Sequence, residues 1–103
     1  MQKRYESRVL PLFVEELNDI LDYISLRLQN PEAAYALKDA VYNAIIERSA
    51  CAEAFEPYHS RKQRQYTFYR IYVRNYTIFY SVIGDVMEVQ SILYSRRDTT
   101  RLL

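Results

Sequence analysis

Apolar and polar residues change their period twice along this chain. Residues 4–10 alternate loosely between polar and apolar, which predicts a short first strand. Pro11 closes it, since proline lacks the N–H that a strand ladder needs. From Leu12 the period lengthens. Phe13, Leu17, Ile20, Leu21, Ile24 and Leu28 recur at spacings of three and four, one apolar stripe of a helix. Glu15, Glu16, Asp19 and Asp22 fall mostly on the other side. Asn30-Pro31-Glu32 breaks and restarts the chain. Asn30 suits a cap, Pro31 the first helical position, and Glu32 the positive end of the helix dipole. Ala34, Leu37, Val41, Ala44 and Ile45 then mark a second stripe, predicting a helix to about Ala52. A turn this short folds two helices into an antiparallel hairpin.

Residues 53–67 read as a long irregular connection, and long loops in compact domains are often functional. Beyond it the period falls to two. Runs 68–73, 76–83 and 86–94 are rich in Tyr, Ile, Val and Phe. Arg74-Asn75 separates the first two, and Gly84-Asp85, which holds the single glycine, separates the last two. The expected architecture is a single α+β domain over residues 1–103. An N-terminal strand, an antiparallel helix hairpin and a three-stranded antiparallel meander form a two-layer sandwich.

Half of the 103 residues are hydrophobic, enough for one core. The net charge of +1 hides an asymmetry. Residues 1–59 carry six Lys/Arg against ten Asp/Glu, and residues 60–103 carry eight against three. The second half is therefore attractive to phosphates or to an acidic partner, unless it is simply a solvated face. One cysteine, Cys51, allows no internal disulfide, and it reads as a small apolar residue within the second helix. With one histidine, His59, no zinc-ligand spacing exists, and no cofactor is expected. No run is apolar for the ~20 residues a membrane helix needs, and the first residues lack a signal-peptide core, so a cytoplasmic location is expected.

In the first meander strand Tyr69, Ile71 and Val73 share one face, which belongs against the helices. Phe68, Arg70, Tyr72 and Arg74 share the other. Two arginines around a tyrosine suit phosphates and a base, and they equally suit an exposed sheet stabilised by cross-strand pairs. Arg61, Arg64, Arg96 and Arg97 are expected to converge on this face as a target- or nucleic-acid-binding set. No catalytic set emerges from spacing. Glu56, His59 and Tyr66 are the loop groups able to move a proton, should the chain be a metal-free nuclease.

Several strings resemble the RelE/ParE superfamily of bacterial toxins. They are Leu12-Phe13 through Asp22-Tyr23-Ile24, Asn30-Pro31-Glu32-Ala33-Ala34, Tyr69-Arg70-Ile71-Tyr72-Val73, Asn75-Tyr76-Thr77-Ile78-Phe79-Tyr80, and Ile92-Leu93-Tyr94-Ser95-Arg96-Arg97-Asp98. In this order they span nearly the whole chain. The resemblance implies a toxin neutralised by a directly binding antitoxin, usually encoded beside it. RelE-like members cut mRNA on the ribosome through cationic side chains, without metal; ParE-like members inhibit DNA gyrase. Arg70 and Arg97 fall where RelE-like toxins carry a catalytic lysine and an arginine. Tyr72 replaces a second lysine, Thr77 stands where an arginine is usual, and the terminal tyrosine is missing. The resemblance therefore favours a gyrase-directed toxin over a ribosome-dependent endoribonuclease, with a degenerate toxin that only binds antitoxin and helps repress its operon as a third reading.

Overall fold

The computed structural model describes residues 4–55 and 68–95. The elements run β1 (Glu6–Val9), α1 (Pro11–Asp22), a π-helical turn (Tyr23–Arg27), α2 (Pro31–Arg48), β2 (Phe68–Val73), β3 (Tyr76–Ile83) and β4 (Val86–Tyr94). The three meander strands occupy the three runs read from the sequence. The sheet order is β1-β4-β3-β2, with β1 parallel to β4 and the other pairs antiparallel. The helices cover one face, giving the expected α+β sandwich of two layers.

The hairpin is antiparallel. Phe13, early in α1, meets Tyr42, late in α2, edge to face at 6.4 Å between ring centres. Asn30 caps α2 as expected, its Oδ1 accepting the Ala33 N–H at 3.1 Å. Pro11 both follows the first strand and opens α1. Phe13, Leu17, Leu37, Val41 and Ile45 from the helices join Tyr69, Ile71, Val73, Ile78, Tyr80, Met87, Val89 and Ile92 from the sheet in one core.

Three expectations need correction. Leu28 does not continue the core stripe; it is 56% exposed. The π turn, closed by the Leu28 N–H on the Tyr23 carbonyl, adds residues per turn and rotates later side chains off the stripe. Second, α2 stops at Arg48 rather than Ala52. The Ser49 hydroxyl bonds back to the Ile46 carbonyl at 2.5 Å, and the Tyr5 N–H takes the Ser49 carbonyl at 2.8 Å. Cys51 consequently sits half-buried in a turn, not in a helix. Third, Glu16 does not face solvent. Its Oε1 accepts the Ser91 hydroxyl at 2.7 Å and the Ile92 N–H at 3.1 Å, covering the edge of β4 past the end of β1.

Candidate functional site

Two surfaces concentrate chemistry among the described residues. The first is the sheet face turned away from the helices. Arg70 and Tyr72 lie two apart on β2, and the Arg70 guanidinium carbon stands 5.6 Å from the centre of the Tyr72 ring. Tyr72 is exposed, whereas Phe68 and Arg70 are half-buried. The middle of this face is not open. Phe79, the cross-strand neighbour of Arg70, is buried, as are Thr77 and Ser81. Ser81 accepts a bond from the Gln90 side-chain amide at 2.7 Å. The Thr77 and Ser95 hydroxyls share a bond of 2.8 Å, and the Ser95 N–H reaches the Asn75 carbonyl at 2.7 Å. Thr77 thus ties β3 to the end of β4.

Arg74 leaves this face. It begins the two-residue β2–β3 turn at φ +54°, so strand alternation no longer applies to it. The residue instead lines the second surface, a groove of about 870 Å³ on the helix side. The groove runs between the hairpin tip and the β2–β3 turn. Ile20, Ile24 and Leu37 line its apolar part, and Tyr23, Tyr76 and Tyr94 line its aromatic part. The Tyr76 and Tyr94 rings meet at 5.6 Å in an edge geometry. Burial raises the Tyr76 phenol above its ordinary value, and the neighbouring Tyr94 and Tyr23 phenols add to the rise. Asp19 and Arg74 also line the groove, and neither takes part in an ion pair among the described residues.

A half-buried anchor joins the helix layer to β2. Arg48, in the last turn of α2, donates through Nη1 to the Arg70 carbonyl and to the Tyr80 hydroxyl, each at 3.0 Å. Its guanidinium stacks over Phe55 at 3.6 Å. The Tyr80 hydroxyl donates onward to the Ala52 carbonyl at 2.6 Å. Burial raises the Tyr80 phenol, against the opposing pull of Arg48.

The family model for the ParE toxin of the parDE type II toxin–antitoxin system matches residues 8–99. The chain belongs to the ParE toxin family. It is thereby the toxin component of a type II toxin–antitoxin system. A solved structure described as the chromosomal ParDE TA system from P. aeruginosa shares its fold, with TM-score 0.69 and 13% identity over 88% of this chain and 96% of that one. Among curated protein sequences nothing matches. No helix among the described residues is long and apolar enough to cross a membrane.

Of the residues singled out in this ParE-family sequence, the fold brings Arg70 and Tyr72 together and sends Arg74 to the opposite side. Glu56, His59, Arg61, Arg64, Tyr66, Arg96 and Arg97 lie outside the described residues. Sequence reasoning missed the groove, whose tyrosines come from the π turn and from two strands, β3 and β4, that lie far from it in the chain. It also missed Arg48, since an arginine in a last helical turn reads as a solvated complement to the dipole.

Proposed function

We propose that this ParE-family toxin acts by occupying its target, with DNA gyrase the favoured target, and that a cognate antitoxin neutralises it by direct binding in the cytoplasm. The observation that carries the reading is Thr77. In RelE-like nucleases this position is expected to present a cation to RNA. Here it is a neutral side chain, 4% exposed, with its hydroxyl engaged by Ser95. Tyr72, in the place of a second lysine, is uncharged as well. Metal-free cleavage relies on oriented cations to stabilise the charge gained at phosphorus, and one such donor is worth roughly 10²–10³ in rate. A surface without two of them is better suited to binding than to cutting.

The exposed Tyr72 ring beside the Arg70 guanidinium offers an aromatic, cationic contact for a protein or nucleic-acid target. The apolar residues left exposed around the hairpin, Leu26, Leu28 and Tyr35 among them, favour a chain that meets its antitoxin soon after synthesis. Co-expression with the product of the neighbouring reading frame tests the antitoxin half. A single co-eluting complex and restored growth are expected, and separate elution of the two proteins would refute it. ATP-driven supercoiling of relaxed DNA by purified gyrase tests the target half: added toxin should slow it, and an unchanged rate would refute gyrase as the target.

A further inference from the structure

β2 is the outermost strand of the sheet, and its register shows how Arg70 is held. The two-residue turn makes Val73 and Tyr76 the closing pair, and in an antiparallel ladder bonded pairs alternate with unbonded ones. Tyr69, Ile71 and Val73 therefore exchange main-chain bonds with β3. The peptide groups of Arg70 and Tyr72 point the other way, to the outer edge, so β3 does not hold the Arg70 carbonyl. Arg48 does, from the last turn of α2, through Nη1 at 3.0 Å. The same nitrogen reaches the Tyr80 hydroxyl at 3.0 Å, and the Phe55 ring supports the guanidinium at 3.6 Å. The clamp on the Arg70 carbonyl is thus itself fixed by two further contacts.

Two features set this contact apart from an ordinary one between layers. Arg48 joins no ion pair among the described residues. Half-burying a cation beside neutral partners carries a desolvation cost that an apolar side chain would avoid, but an apolar side chain could not donate to the carbonyl. The second feature is which residue is held. The carbonyl belongs to Arg70, whose side chain stands on the face turned away from the helices, 5.6 Å from the centre of the Tyr72 ring. Fixing a peptide plane fixes the direction in which its residue projects a side chain. Through the backbone of an edge strand, Arg48 therefore acts on the guanidinium across the sheet.

We propose that Arg48 is a positioning residue for Arg70. It touches no target itself, and it holds the Arg70 guanidinium in the direction in which, with Tyr72, it meets the toxin's target. The proposal rests on the reading that this face meets gyrase. A long side chain oriented in advance loses less freedom on binding, so Arg48 strengthens the contact without being part of it. Its effect passes through Arg70 alone and disappears when the Arg70 side chain is gone.

Two measurements on the full chain test this. The first is nuclear magnetic resonance relaxation of the Arg70 Nε in the toxin alone. Its order parameter should fall in Arg48→Met. It should hold in Tyr80→Phe, which loosens the same junction but keeps the bond to the Arg70 carbonyl. The second is ATP-driven supercoiling by purified gyrase, titrated with toxin well below the lowest melting midpoint of the set. Arg70→Ala should raise the half-inhibitory concentration by about tenfold, and Arg48→Met by about fivefold. Arg48→Lys keeps one charged donor without the fork, and its loss should be about threefold. Tyr80→Phe should stay within about twofold of wild type. Added to Arg70→Ala, Arg48→Met should cost less than about a further twofold, because two residues acting through one contact are not additive. Effects that multiply in full would make Arg48 a purely structural residue and overturn the proposal. So would an Arg70 Nε equally ordered with and without Arg48, or a loss in Tyr80→Phe equal to that in Arg48→Met. Should Arg48→Met fail to melt cooperatively, Arg48→Lys carries the same comparison, and its loss should likewise vanish in the Arg70→Ala chain. A wild-type toxin that leaves supercoiling unchanged refutes the gyrase reading itself and the proposal with it.

Discussion

Tyr80→Phe removes one oxygen and breaks two bonds at the buried junction of α2, β2 and β3. The hydroxyl accepts from Arg48 at 3.0 Å and donates to the Ala52 carbonyl at 2.6 Å. Tyr80 and Ala52 are both fully buried, so water cannot replace the lost partner. An unsatisfied buried carbonyl costs about 1–3 kcal/mol, and a bond to a charged donor contributes about 1.5–3 kcal/mol. Arg48 keeps its bond to the Arg70 carbonyl and its stack on Phe55, so the second loss is partial. The ring remains stacked on Tyr69 at 5.2 Å. The expected destabilisation is about 2–3 kcal/mol, a large share of the roughly 5–15 kcal/mol that holds a small domain together. In a domain near this size the melting midpoint should fall by roughly 10–20 °C. Thermal and urea unfolding followed by circular dichroism measures both quantities. Arg48→Met, which keeps the aliphatic stem, completes a double-mutant cycle. Because the two side chains share a bond, the double variant should cost less than the sum of the singles by about 0.5 kcal/mol or more. A Tyr80→Phe chain that unfolds within about 0.5 kcal/mol of wild type, or strict additivity, would refute the idea that this junction holds the layers together.

Other outcomes follow from the same geometry. Glu16→Ala strips the Ile92 N–H of its acceptor at the β4 edge and should cost about 1–3 kcal/mol in urea unfolding, whereas Glu15→Ala, on the solvent side, should cost almost nothing. Arg70→Ala with Arg97→Ala should relieve growth inhibition while the chain still binds its antitoxin; full toxicity in that double variant would remove the cationic face from the mechanism. Arg70 is half-buried against its neighbours, so its half of the change will cost more stability than an exposed arginine would. The half-buried phenol of Tyr76 and the buried phenol of Tyr80 are raised from the ordinary value of 10.0, so the folded state holds those protons more tightly than the unfolded one. Their contribution is whole below that ordinary value and is lost as pH climbs through the raised one. Ultraviolet titration of tyrosinate should show a late-ionising group in the native protein and none in urea; a single transition common to both states would contradict the burial of these rings.

Most of the fold could be read from the chain because local signals agreed. The two-residue gaps at Arg74-Asn75 and Gly84-Asp85 sit between runs of alternating residues, so the strand limits and hairpins of the meander could be read, though not the β3–β4 register shift between Phe79 and Tyr80. Asn30 and Pro31 marked the second helix because their side-chain chemistry acts within three residues. The failures share a different cause. Leu28, Glu16, Arg48 and Arg74 each go where a non-local or backbone event sends them. A π turn rotates Leu28 outward, an unpaired strand edge draws Glu16 inward, and a buried carbonyl and phenol capture Arg48. A positive φ turns Arg74 to the other side of the sheet. None of these leaves a mark in periodicity. The same limit explains the sheet face expected to be open. Alternation identified which residues share it, but burial of Phe79 and Ser81 depends on contacts that alternation does not encode.

The direct test of a toxin that occupies its target rather than cutting RNA is the order in which synthesis stops after induction in cells lacking the antitoxin. Pulse labelling of DNA and protein, with primer extension on an abundant transcript in the same culture, measures that order. DNA synthesis is expected to stall first, with the transcript intact. Prompt codon-positioned cleavage with translation arrested first would contradict the account and turn the search for a general base to Glu56, His59 and Tyr66.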